Sequence, residues 1–322
     1  MRTIRPRLLQ LYAGCALLAL ALLSIGAVRA SSGDRQLSFR SCVANCQLKE
    51  CIEPAPLPLH LRLLLWTCES NCDYKCQRHI THNAQAHGRR VHQYHGKWPF
   101  IRMLGVQEPA SVVFSVLNGL MHIKSWRLVQ TLPRVHPMRL WLSVFVVLGS
   151  WSWFCSAVFH TRDFPLTEKL DYFSAGLNVL YIFFLGSVRM LRLSCWRKTR
   201  VVAVCCAVPY VLHVAYLSLV KFDYGYNMMA NAIVGLLSNV VWFVVTFQAY
   251  RNGQPFWWKP AVLIVLTDLA FSLEAFDFPP FADTFDAHSL WHAATVPIVA
   301  QWYSYLVDDA RWDARLEQLR KD

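Results

Sequence analysis

From about Pro109 onward the chain is a succession of long apolar runs broken by short polar ones. Runs of about twenty residues match the hydrocarbon thickness of a bilayer when they are helical. They fall at 107–123, 138–160, 168–188, 200–220, 228–250, 259–277 and 286–307. The first is the shortest and holds Asn118 and His122 within it. Ahead of these runs, residues 31–105 are polar and cysteine-rich. The chain start carries Arg2, Arg5 and Arg7, an apolar run from Leu8 to Val28, and Val28-Arg29-Ala30. That start reads as a secretory signal peptide over 1–30, with an uncleaved signal anchor as the alternative. The pattern predicts an all-α membrane protein. Its parts are a small disulfide-rich lumenal N-terminal domain over 31–105, a seven-transmembrane helix bundle over 106–308 and a cytosolic tail over 309–322.

Charge gives the bundle an orientation. Fifteen Lys and Arg residues, among them Lys124, Arg197, Arg251 and Arg311, fall on one side of the spans. The short loops on the other side, with their edges, carry only Arg162, Lys169 and Lys221. An odd number of spans with the N-terminus lumenal and the C-terminus cytosolic satisfies that bias. The same distribution argues against nucleic acid as the target of the formal charge of +12. There is no phosphate-binding glycine loop, no zinc-finger spacing and no basic helix backed by a soluble fold.

Six of the eleven cysteines lie in the N-terminal segment: Cys42, Cys46, Cys51, Cys68, Cys72 and Cys76. An even count in an oxidising lumen reads as a disulfide framework rather than a zinc site. Two pairs are spaced i, i+4, which suits two short antiparallel helices stapled together. The nested pairing Cys42–Cys76, Cys46–Cys72 and Cys51–Cys68 follows, with Pro54, Pro56 and Pro58 at the turn. The histidines of this segment, His60, His79, His82, His87, His92 and His95, show no ligand spacing and read as solvated.

Candidate chemistry sits at the ends of three spans. His288 and His292 are one helical turn apart on one face, as are Ser156 and His160. Given the orientation, both pairs and Asp171 fall at a similar depth near the lumenal side. Ionisable groups within spans are expensive and mark function. Three imidazoles leave one position open on zinc, the arrangement of a catalytic site. Asp171 is placed to orient a water or take its proton, and Ser156 to hydrogen-bond the water or an oxyanion. The alternatives are a serine nucleophile with a histidine base, or polar side chains acting only as glue between helices. Glu274 and Asp277 are candidates for supporting the imidazoles from behind. Asp268 lies deeper, with His213 as its candidate partner.

These stretches resemble a known group. Ser156-x-x-x-His160, Asp171 eleven residues later and His288-x-x-x-His292 on seven spans are similar to the CREST membrane hydrolase superfamily. His95-Gly-Lys-Trp-Pro-Phe100, Phe159-His-Thr-Arg-Asp163, Phe222-Asp-Tyr-Gly-Tyr-Asn227 and Asp277-Phe-Pro-Pro280 narrow the resemblance to its Per1-like family. The resemblance implies a zinc enzyme, with His160, His288 and His292 as ligands. It would remove the sn-2 acyl chain from glycosylphosphatidylinositol (GPI) anchors. GPI-anchored proteins, their lipid moiety and membrane lipids would be its partners, in the Golgi membrane or alternatively the endoplasmic reticulum. A ceramidase acting on an amide, or a receptor or non-enzymatic lipid-remodelling factor with structural zinc, are the competing functions.

Overall fold

A computed structural model describes residues 31–53 and 55–319. The expected signal peptide (1–30), Pro54 and the end of the tail (320–322) lie outside them. Among the described residues there are ten helices and no strands beyond isolated bridges. Residues 31–178 with 242–319 form one compact unit, and Val179–Val241 form another.

The N-terminal segment contributes α1 (Leu37–Glu50), α2 (Leu59–Leu63) and α3 (Cys68–Ala86). Thr67 starts α3 with a capping box: its hydroxyl accepts from the Ser70 N–H, and the Ser70 hydroxyl accepts from the Thr67 N–H. Disulfides join Cys42 to Cys76, Cys46 to Cys72 and Cys51 to Cys68. The i, i+4 spacing on both helices puts each set of sulfurs on one face, so the bonds nest and α1 runs antiparallel to α3. The apolar interior beneath them is small: Phe39, Tyr94 and Cys76, flanked by Val43 and Ile80. So small a core does not hold a segment of this size without cross-links.

Seven longer helices follow among the described residues: α4 (Pro109–Gln130), α5 (Pro137–Thr161), α6 (Pro165–Met190), α7 (Trp196–Leu219), α8 (Tyr224–Arg251), α9 (Lys259–Phe276) and α10 (Ala287–Leu319). Proline stands at the start of α4, α5 and α6, where its missing N–H costs no hydrogen bond. Helices α5, α6, α7 and α8 are long and apolar enough to cross a membrane. The other three are less apolar for a reason visible in their sequences. Helix α4 carries Asn118, His122, Lys124 and Arg127, α9 carries Lys259, Asp268 and Glu274, and α10 carries His288 and His292.

Helix α5 shows which solvent its outer face meets. It buries Ser152, Ser156 and His160 and exposes Val147, Trp151, Phe154 and Val158. A helix with polar groups inside and apolar groups outside is arranged for lipid, and the chain is a membrane protein. Helices α4, α5 and α10 pack together, and α9 packs on α10. Their interior is a stripe of polar side chains on α4: Ser111, Ser115, Asn118, His122 and Ser125, all buried. Asn118 Nδ2 donates to the His292 carbonyl at 2.8 Å, and His122 Nδ1 meets the Tyr303 hydroxyl at 2.8 Å. A Cβ at Gly149 would overlap the His122 ring, so glycine is what lets α5 approach α4 here.

One boundary differs from expectation. Helix α10 does not end with the apolar run at 307 but continues to Leu319. Its polar end is held by Gln254, which donates to Asp309 at 2.9 Å, and by Lys259, 3.4 Å from Asp308. Within the second unit His213 Nε2 meets Asn227 Oδ1 at 3.2 Å, so amide rather than carboxylate is the partner found for it.

Candidate metal centre

The end of α5, the start of α10 and the end of α9 meet beside the N-cap of α4. His160, His288 and His292 come together there with one ring nitrogen of each within 4.8 Å of the others. Ring centroids are 5.1 Å apart for His160–His288 and His160–His292, and 4.5 Å for His288–His292. His160 and His292 are buried and His288 is half-buried.

The outward nitrogen of each ring has a partner. His160 Nδ1 lies 2.7 Å from Glu108 Oε2, His288 Nδ1 lies 2.7 Å from Glu274 Oε2, and His292 Nδ1 lies 3.0 Å from Ser115 Oγ. An ionised carboxylate only accepts, so both glutamates fix the N–H of their imidazole at Nδ1. The Nε2 atoms of His160 and His288 face each other at 3.3 Å, a separation that a proton on one ring or a shared metal ion would bridge. Zinc bonds nitrogen at about 2.0–2.1 Å, so tetrahedral ligand nitrogens are separated by about 3.3–3.4 Å. The donor set and spacing fit a divalent ion of the zinc type, with carboxylates behind the imidazoles as such ions require. The other close groupings, Cys51 with Cys68 and Cys72, and Cys46 with Glu50 and Cys72, involve sulfurs already committed to disulfides.

Ser156 and Asp171 border this centre differently. Ser156 Oγ is 3.1 Å from Ser115 Oγ, which also contacts His292, so two hydroxyls form a chain to the third imidazole. Asp171, half-buried on α6, has a carboxylate electrostatically coupled to His160, His288 and Lys97. Asp277 does not join the imidazoles. Capping α9 at a φ of 35°, it accepts from Gln93 Nε2 at 2.9 Å and Trp98 Nε1 at 2.8 Å, tying the N-terminal segment to that helix.

Glu108 and Ser115 were not anticipated from the sequence, nor was Lys97 as a charge partner. Lys97 Nζ sits 2.5 Å from Glu108 Oε1, 3.1 Å from Asp163 Oδ2 and 4.0 Å from the Phe159 ring centroid. Burial opposes its charge, but the Glu108 and Asp163 carboxylates prevail and hold the ammonium above its ordinary range. The segment carrying Glu108 is anchored by backbone bonds, Gln107 N–H to the Thr161 carbonyl and Glu108 N–H to the His160 carbonyl, each 3.0 Å. These satisfy carbonyls at the end of α5 that the helix leaves open. The local fold thus delivers a carboxylate to the imidazole on the same turn.

The class is that of an all-helical membrane protein whose buried polar groups surround a three-imidazole centre. The description of the Per1-like family matches residues 58–310. Protein PER1 homolog of Schizosaccharomyces pombe is 40% identical over 300 residues, covering 89% of each chain. GPI-specific phospholipase A2-like PGAP3 of Danio rerio is 38% identical, covering 91% of this chain and 95% of that one. The Homo sapiens protein of the same name is 38% identical over 87% and 89%. No solved structure matches. The chain belongs to the Per1-like family.

Proposed function

We propose that this protein is a zinc-dependent acyl-ester hydrolase that removes the sn-2 fatty acid from GPI anchors of GPI-anchored proteins. The observation that carries the reading is the convergence of His160, His288 and His292 with every outward ring nitrogen held. The substrate class is supported by relatives named GPI-specific phospholipase A2-like. In the proposed topology of seven spans, a lumenal N-terminal domain and a cytosolic C-terminus, the centre falls in the leaflet where GPI anchors reside. The Golgi membrane is the compartment proposed.

His160, His288 and His292 would hold the ion, and when bound it supplies Lewis acidity and lowers the pKa of a bound water toward about 7. Asp171 receives the proton of the attacking water. Ser156, oriented by Ser115, donates to the oxygen that gains charge as the ester carbonyl becomes tetrahedral. The acyl C–O bond then breaks, releasing the fatty acid. The proton held by Asp171 passes to the glycerol oxygen, leaving a free 2-hydroxyl. Glu108 and Glu274 keep the imidazoles oriented throughout. A serine nucleophile would need an imidazole against Ser156 Oγ, and the group found there is the Ser115 hydroxyl.

The test is the acyl composition of GPI anchors in cells that carry His288→Ala or Asp171→Ala as the sole copy. The expected result is retention of the original sn-2 chain with the mutant protein present at normal abundance. Normal remodelling in both mutants removes the enzymatic reading.

A further inference from the structure

A cavity of about 310 Å³ lies between the N-terminal segment and the start of α6. Its wall includes Trp66, Tyr74, Lys97, Arg102, Arg162 and Phe164. Two of its cations are already neutralised, His95 by Asp73 at 2.9 Å and Lys97 by Glu108 and Asp163. The two arginines are different. Neither has a carboxylate within 4.0 Å among the described residues, and Asp163, the acid whose charge Arg162 senses, is engaged by Lys97.

Both guanidinium groups are nevertheless fixed. Arg102 lies 4.3 Å from the Trp66 ring and 4.2 Å from the Tyr74 ring, with Nη2 donating to Asn71 Oδ1 at 2.8 Å. Arg162 lies 4.0 Å from the same Trp66 ring and 4.8 Å from Phe164. Trp66 is itself pinned, donating from Nε1 to the Gly105 carbonyl at 2.8 Å. Arg102 Nη1 and Arg162 Nε are buried and make no hydrogen bond. Two like charges held together by stacking, each with an unused donor, form a site in want of an anion.

We propose that the cavity seats the phosphate group of an inositol phospholipid headgroup between Arg102 and Arg162, a subsite that rests on the hydrolase reading above. Its location fits glycerolipid chemistry. Arg162 is two residues from His160, and Gln107, whose Oε1 lies 3.4 Å from Arg162 Nη1, adjoins Glu108. In a glycerophospholipid the phosphate is joined through one carbon and one oxygen to the carbon bearing the sn-2 ester. A pocket for one must border the site that attacks the other. Paired, stacked guanidinium groups are suited to phosphate because their fork of donors matches its oxygens.

The experiment measures binding of dioctanoylphosphatidylinositol to the full-length protein in nanodiscs, with dioctanoylglycerol and inorganic phosphate as separate arms. The phosphoinositide should bind the wild type and the His288→Ala protein alike. It should bind the Arg102→Gln/Arg162→Gln protein about tenfold more weakly or worse. Wild-type affinity should also fall as salt rises, a readout that needs no variant. Inorganic phosphate should compete only at much higher concentration. Equal affinity for dioctanoylglycerol, salt-independent binding, or undiminished affinity in the glutamine pair overturns the subsite. Inorganic phosphate binding as tightly as the lipid overturns the headgroup assignment in favour of a free-anion site. Hydrolysis is read separately with His288→Ala, so failure of the catalytic reading would leave the binding result distinct.

Discussion

In α1 and α3, three covalent bonds surround a small apolar cluster of Phe39, Tyr94 and Cys76. In α4, α5 and α10 no covalent bond joins the helices, and the polar side chains Ser115, Asn118, His122, Ser156 and His292 are buried among apolar ones such as Leu142, Phe145 and Tyr303. The two regions answer to different solvents. In water a segment with so little apolar surface to bury must limit the freedom of its unfolded chain, which disulfides do. In lipid, apolar side chains gain nothing by facing inward, and polar contacts between helices specify the packing. The second solution has a consequence for function. A helix interior already organised by hydroxyl, amide and imidazole groups can gather three imidazoles and their carboxylates with few further changes. The stapled segment contributes the polar roof: Lys97 to Glu108, and the anchor of Arg78 to Asp283 at 2.7 Å.

The sharpest way to break the comparison is to remove one staple. Cys46→Ser with Cys72→Ser should cost about 2–5 kcal/mol of stability in the N-terminal segment. Thermal unfolding followed by protease sensitivity around residues 31–105 would show it, with the metal content of the helical region retained. Equal loss of metal would mean that the two regions do not stand apart energetically. Next in size, Glu108→Gln or Glu274→Gln keeps shape but weakens the hold on an imidazole. Each should reduce zinc affinity or deacylation about 10–100-fold, measured by metal competition and by lipid analysis. Within the helices, Asn118→Ala removes the donor to the His292 carbonyl. Its cost should be near the membrane average of about 0.6 kcal/mol and no more than about 1.7 kcal/mol, read from unfolding in detergent.

The smallest effect is a pH dependence confined to the stapled segment. The hydrogen bond to Asp73 raises the pKa of His95 above its ordinary value of 6.5, burial opposes the rise, and the charges of Asp73 and Asp34 add to it. A raised folded value means stability present in full below the unfolded value and lost as pH climbs through the folded one. Wild-type protein should therefore melt slightly lower at pH 8 than at pH 6, and His95→Gln should flatten that difference. A larger slope in the mutant would reverse the assignment.

Much of this architecture could be read from residue order because lipid enforces simple patterns. Apolar runs with few breakers became the seven long helices, and the i, i+4 cysteines fixed a nesting visible in the disulfides. The imidazoles stood out because a charge-bearing ring is conspicuous in an apolar run. Glu108 was not legible for the opposite reason. It directly precedes Pro109, at the edge of the shortest run, where an acid looks like an ordinary interfacial charge. Ser115 is silent alone, yet Ser111, Ser115, Asn118, His122 and Ser125 recur at alternating spacings of four and three, a buried polar face in plain helical period. That period is the signal for the supporting groups, and it was hidden by attention to single residues. Asp277 misled because proximity in sequence to Glu274 says nothing of direction once the helix ends in a left-handed residue.

The most direct measurement of the central claim is deacylation of a defined GPI lipid by the purified protein, before chelation, after it and after zinc is restored. The account predicts release of the sn-2 fatty acid, its loss with the chelator, its return with zinc, and no return in His160→Ala. Full activity in metal-free protein would contradict it.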